Sequence, residues 1–86
     1  MQTITFDLRD IADEQAFYRQ FAHTFSLTSF GNNLDALWDA LTGGIALPLQ
    51  IRLSYVPANK NALQRIIQVL QEAEQETAGA LTICLC

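Results

Sequence analysis

The stretch IALPLQIRLSY, residues 45–55, decides the fold. From Leu49 its residues alternate, with Leu49, Ile51, Leu53 and Tyr55 set against Gln50, Arg52 and Ser54. A period of two is that of a strand with one buried face. Pro48 stands at its entrance, where a missing N–H costs little. The pattern on both sides is helical, so this strand must reach its partners through crossovers. Such connections make the pairing parallel and right-handed.

Toward the N-terminus lies FGNNLDALWDALTGG, residues 30–44. Leu34, Leu37, Trp38 and Leu41 fall at i, i+3, i+4 and i+7, the stripe of a core-facing helix. Asn33, or Asn32 before it, supplies the N-cap. The helix is expected to end at Thr42-Gly43-Gly44, with glycine in a left-handed C-cap. Further upstream, Phe17, Phe21 and Phe25 recur every four residues beside Ala16 and Tyr18. That spacing predicts a helix over roughly residues 11–25. Asp10 is its expected N-cap, with Asp13 and Glu14 in the first turn. QTITFDL, residues 2–8, reads as a first strand with Ile4, Phe6 and Leu8 on one side.

Toward the C-terminus, VPANKN (residues 56–61) reads as a turn in which Asn59 caps a third helix. Leu63, Ile66, Ile67, Leu70 and Ala73 form that helix's apolar face. Its last turns carry Glu72, Glu74 and Glu76, at the end where a helix dipole prefers cations. TAGA breaks it, and LTICLC (residues 81–86) is the final strand. The expected order is β-α-α-β-α-β. It describes one small α/β domain over residues 1–86, with a three-stranded parallel sheet and three main helices.

Composition agrees with a folded domain. Of 86 residues, 50% are hydrophobic and 16% charged, enough for one modest core. Nine acids against five bases give a net charge of −4. Nucleic-acid binding needs Lys and Arg to displace counterions, so this balance argues against it and favours a basic partner. The N-terminus has neither a basic n-region nor a long apolar run, so no signal peptide and no membrane span are expected. Cys84 and Cys86 share one face of a strand at a spacing too long for a comfortable disulfide. Free thiols in a reducing cytoplasm are the simple reading.

Catalytic signatures are missing. The sequence has no phosphate-binding glycine loop, no GxSxG elbow, and one histidine, His23, expected at a helix surface. A lone C-x-C with one histidine does not make a zinc site, so no metal or cofactor is expected. Asp35 and Asp39 fall within reach of the carboxylate spacing of a glycosidase, but a domain this small has little room for the cleft. The chain is therefore not expected to be an enzyme.

Asp35 and Asp39 lie four apart on one helix face, where like charges repel by a few tenths of a kcal/mol. Asp35 gains from the helix dipole; Asp39, a turn later, does not. One reading is an ordinary solvated face. The other is a surface for a basic partner, with Trp38 between the acids and the core, Asn33 at the start, and Gly43 and Gly44 exposing backbone past the end.

These residues resemble a known family. FGNNLDALWDALTGG followed by LPLQIRL is similar to the signature of barstar-like ribonuclease inhibitors, and VLQEAEQE and LTICLC match more weakly. The resemblance implies an acidic helix that plugs the active site of a basic ribonuclease or nuclease toxin, its carboxylates standing in for RNA phosphates. It implies Asp39 as the principal mimic and Asp35 as the second acidic contact. Asn33, Trp38, Thr42, Gly43 and Gly44 would surround them, and Glu72 would add an acidic contact from the last helix. It further implies a cytoplasmic bacterial monomer with an immunity role. Three positions depart from the pattern: Ser29 and Gly44 where the family has aromatics, and Ala46 where it has an acid. Those departures imply weakened binding to barnase and leave room for another nuclease, or for an interaction module whose partner is not a nuclease.

Overall fold

A computed structural model describes residues 2–55 and 63–85. Its elements run β1 (Gln2–Asp7), a 3-10 turn (Leu8–Asp10), α1 (Glu14–Thr24), α2 (Leu34–Asp39), a π-helical turn (Ala40–Gly44), β2 (Leu49–Ser54), α3 (Gln64–Glu76) and β3 (Leu81–Leu85). The strands are all parallel in the order β1-β2-β3, with Ile4 opposite Ile51 and Ile51 opposite Ile83. This is the β-α-α-β-α-β arrangement expected from the alternation.

Register explains which sheet face is buried. Phe6, Leu49, Ile51, Leu53 and Leu81 point to one side and are buried. The alternate residues Thr3, Thr5 and Arg52 are exposed, and Gln50, Ser54, Thr82 and Cys84 are half-buried. The buried side joins one core cluster with Phe17, Tyr18 and Phe21 of α1, Leu37 of α2, Leu41, and Ile66, Leu70 and Ala73 of α3. Phe21 is its aromatic hub. Its ring lies 4.8 Å from Phe25, 5.5 Å from Phe30, 5.9 Å from Phe17 and 6.3 Å from Phe6, within the range of favourable aromatic pairing.

Several boundaries differ from the sequence expectation. Asp13, not Asp10, caps α1: its Oδ1 accepts the Ala16 N–H at 2.9 Å. The preceding residues form a separate 3-10 turn that buries Leu8 and is capped by Asp7. Asp7 also holds Arg9 in a bidentate pair, with Nη2 to Oδ2 at 2.8 Å, and these bonds keep the Asp7 carboxyl below its usual range. Tyr55 does not continue the buried face of β2. Its φ is +60°, it is 57% exposed, and the Arg9 guanidinium stacks 3.6 Å from its ring centre.

At α3 the expected cap Asn59 lies outside the described residues. Leu63 occupies the N-cap without a side-chain bond. The helix exits as TAGA predicts, through Gly79 at φ +94°, a conformation that favours glycine. Cys84 is half-buried in β3, and Cys86 lies outside the described residues. Among the described residues no helix is long and apolar enough to cross a membrane.

Candidate functional site

The sequence FGNN sets the start of α2, each residue for a different reason. A Cβ on Gly31 would sit 3.1 Å from Asn33 Nδ2 and 3.3 Å from the Ala36 Cβ, so any side chain there crowds the cap. Asn32 takes φ +52°, which asparagine tolerates better than most residues. Asn33 Oδ1 accepts the Ala36 N–H at 2.7 Å, and its Nδ2 donates to the Gly31 carbonyl at 3.0 Å. Caps of this kind are worth about 1 kcal/mol. Asn33 therefore anchors the helix that carries the acids.

Asp35 and Asp39 are both exposed. Among the described residues neither has an ion-pair or hydrogen-bond partner for its carboxylate. Other acids are engaged within the fold. Asp7 binds Arg9, Asp13 caps α1, Glu14 binds Arg65, and Glu74 accepts the Ile83 N–H. Trp38 between the two aspartates is half-buried and packs against the core.

The expected left-handed glycine cap is absent: neither Gly43 nor Gly44 has a positive φ. The helix instead widens into the π-turn Ala40–Gly44, closed by the Ile45 N–H on the Ala40 carbonyl at 3.0 Å. Such wide turns recur at functional positions. Thr42 is half-buried and donates its hydroxyl to the Trp38 carbonyl at 2.8 Å, bracing the turn. Gly43 and Gly44 are exposed at its end.

Among the described residues, recesses lie on either side of α2. The first, about 310 Å³, is lined by Asn33 and Asp35 together with Glu14, Tyr18 and Arg65. Arg65 donates to both Glu14 oxygens, Nη2 to Oε1 at 2.7 Å and Nε to Oε2 at 2.9 Å, and these bonds raise the Arg65 pKa. The second, about 460 Å³, is lined by residues 26–31, Ala36, Asp39 and Ala40. Asp35 and Asp39 thus share a helix but open onto different recesses.

Tyr18 yields a pH prediction. Burial, then the Glu14 charge, raise its phenol above the ordinary value near 10. The folded chain keeps a proton that the unfolded chain releases, so this stabilisation is complete below about pH 10 and is lost as pH rises through the folded value. Tyr18→Phe should flatten the fall in urea midpoint between about pH 8 and about pH 11. An unchanged alkaline slope would refute this assignment.

Glu72 is exposed on α3, which packs against α2 and the π-turn. Asn33, Asp35, Trp38, Asp39, Thr42, Gly43 and Gly44 are continuous along α2 and its π-turn; Glu72 belongs to the neighbouring helix. The sequence reading missed Gly31 and the Glu14–Arg65 pair, which shape the flanks. Only Gly31 carried a local signal, a glycine just before an asparagine cap. His23 is exposed, and among the described residues no group of three or more metal-ligating side chains could hold an ion.

The fold agrees with what the chain is similar to. Residues 1–85 match the family described as Barstar (barnase inhibitor). A Bacillus subtilis (strain 168) protein named "Putative ribonuclease inhibitor YrdF" is 32% identical over 90 residues, covering 99% of each chain. On that match, which spans nearly its whole length, the chain belongs to the barstar family.

Proposed function

We propose that the chain inhibits a basic ribonuclease by inserting α2 into its active site, with Asp39 and Asp35 as phosphate mimics. The observation that carries this reading is the pair of exposed carboxylates, without a partner among the described residues, on a firmly capped helix. Free carboxylates on a rigid element are suited to charge-assisted bonds with arginine and lysine. Trp38, Thr42 and Gly43 form the surround, with Glu72 as a further acidic contact from α3. The inhibitor has no catalytic step, acts as a monomer in the cytoplasm and needs no metal or cofactor. Titration against basic ribonucleases from the same cell tests this. Failure of every such nuclease to bind would refute it, whereas binding that weakens with salt would support it.

The altered rim favours a partner other than barnase. Gly44 occupies a position where the family resemblance implies an aromatic residue, and its backbone would accept one. A Cβ there meets the Ala40 Cβ and the Asp39 carbonyl at 3.6 Å, ordinary contact, and no positive φ opposes a side chain. Gly44→Trp should leave the fold intact and strengthen barnase binding by about tenfold or more, the scale of one buried aromatic anchor. Calorimetric titration of both proteins with barnase measures this; equal affinities would remove Gly44 as the determinant. The same rim also supports a second reading, a module whose partner is not a nuclease. Pull-down followed by a nuclease assay separates the two.

A further inference from the structure

β3 lies at the edge of the sheet, with no strand on its outer side among the described residues. In a parallel ladder, successive residues turn their backbone groups to opposite neighbours. The Leu49 N–H bonds the Ala80 carbonyl at 2.9 Å, which places the even-numbered residues toward β2. Leu81, Ile83 and Leu85 therefore turn theirs outward. Such an edge is a template for another strand. The strand LTICL carries no charge, proline or glycine, the composition that lets identical strands pair. It ends on Leu85, which is 46% exposed.

Two of those outward donors are already occupied. Thr77 Oγ1 accepts the Leu81 N–H at 3.1 Å while donating to the Ala73 carbonyl at 2.9 Å. Glu74 Oε2 accepts the Ile83 N–H at 2.9 Å. Both side chains come from the C-terminal end of α3, where an acid is poorly placed for the helix dipole. Closing the strand edge accounts for a glutamate at that place.

We propose that Glu74 and Thr77 gate β3, holding shut an edge that would otherwise pair with β3 of a second copy of this chain. A second copy is the fitting occupant because two identical edges are self-complementary about a two-fold axis. The strand itself carries no charge to oppose the pairing, although the chain as a whole is acidic. The gate is independent of the nuclease reading.

Sedimentation velocity over a concentration series on the full chain tests the gate. Glu74→Ala combined with Thr77→Val should self-associate at least about tenfold more tightly than wild type, the scale of one hydrogen bond gained between copies. Glu74→Gln keeps a carbonyl acceptor and should sediment as wild type. Adding Leu85→Lys to the double variant should restore wild-type behaviour, because a lysine on an edge strand opposes pairing with another strand. A double variant that is folded by circular dichroism yet sediments as wild type would overturn the proposal. So would self-association that Leu85→Lys leaves unchanged. Should the double variant not fold, Glu74→Ala alone is judged by the same criteria.

Discussion

Asp39→Ala is expected to weaken binding to the cognate ribonuclease by about 2–5 kcal/mol, roughly 30-fold to several-thousand-fold in affinity. The barnase–barstar pair is among the systems behind that range, so the magnitude is an analogy from the family and the assignment to Asp39 is the prediction. The physical reason is asymmetry. A carboxylate docked among arginine and lysine leaves them buried and unpaired when it is removed, and that costs more than the pair contributes when intact. The free protein should hardly notice. Asp39 is exposed, lacks a partner among the described residues, and sits late in a helix where the dipole disfavours it. Its loss should change stability by less than about 0.5 kcal/mol. Calorimetry measures the first quantity and urea unfolding the second. Unchanged affinity would remove Asp39 from the interface, and a large loss of stability would show that it supports the fold instead.

Phe21→Ala should destabilise the fold by about 3–5 kcal/mol, the usual cost of truncating a buried phenylalanine. A chain of this length has about 4–13 kcal/mol in all, at about 0.05–0.15 kcal/mol per residue. The variant should therefore lose about a quarter of its stability at least and be unfolded at worst. Phe21 is fully buried and meets the rings of Phe6, Phe17, Phe25 and Phe30. Phe30 also lines the recess beside Asp39. Loss of Phe21 should thus reach the site as well as the core, and folded Phe21→Ala should bind a partner more weakly than wild type. Phe21→Leu, which keeps most of the volume, should recover much of both losses. Urea unfolding at neutral pH measures the stability change; a shift no larger than that of an exposed substitution would refute the hub role.

What could be read without coordinates was the local chemistry. The alternation at Leu49–Leu53 placed β2, and the Asn33 cap followed from asparagine before an apolar stripe. The errors came where two local solutions compete. Asp10 and Asp13 are both plausible caps, and the structure uses Asp13 because residues 8–10 first make their own turn to bury Leu8. Two glycines after a helix suggest a left-handed exit, yet the chain widened its helix to bond Ile45 to Ala40. Tyr55 extends the alternation by one residue, but the strand ends before it and its ring goes to Arg9. At the candidate site the spacing placed Asp35 and Asp39 on one exposed stretch of helix, while the role proposed for them came from the family resemblance. The two recesses were not legible, because one needs Arg65 brought to Glu14 from 51 residues away and the other needs the loop after α1 folded back so that Phe30 meets Phe21.

The strand order has a consequence for synthesis. β2 is central, and each of its neighbours lies across a helical crossover. Thr3 and Gln50, side by side in the sheet, are 47 residues apart in sequence. No pair of strands can form as a local hairpin, so assembly waits on distant closures, which are slow. α2 leaves the ribosome well before α3, the helix it packs against, and β3 comes last. The helix that carries Asp35 and Asp39 is thus made before the helix that covers its inner side, and until α3 arrives its apolar stripe has no lasting cover.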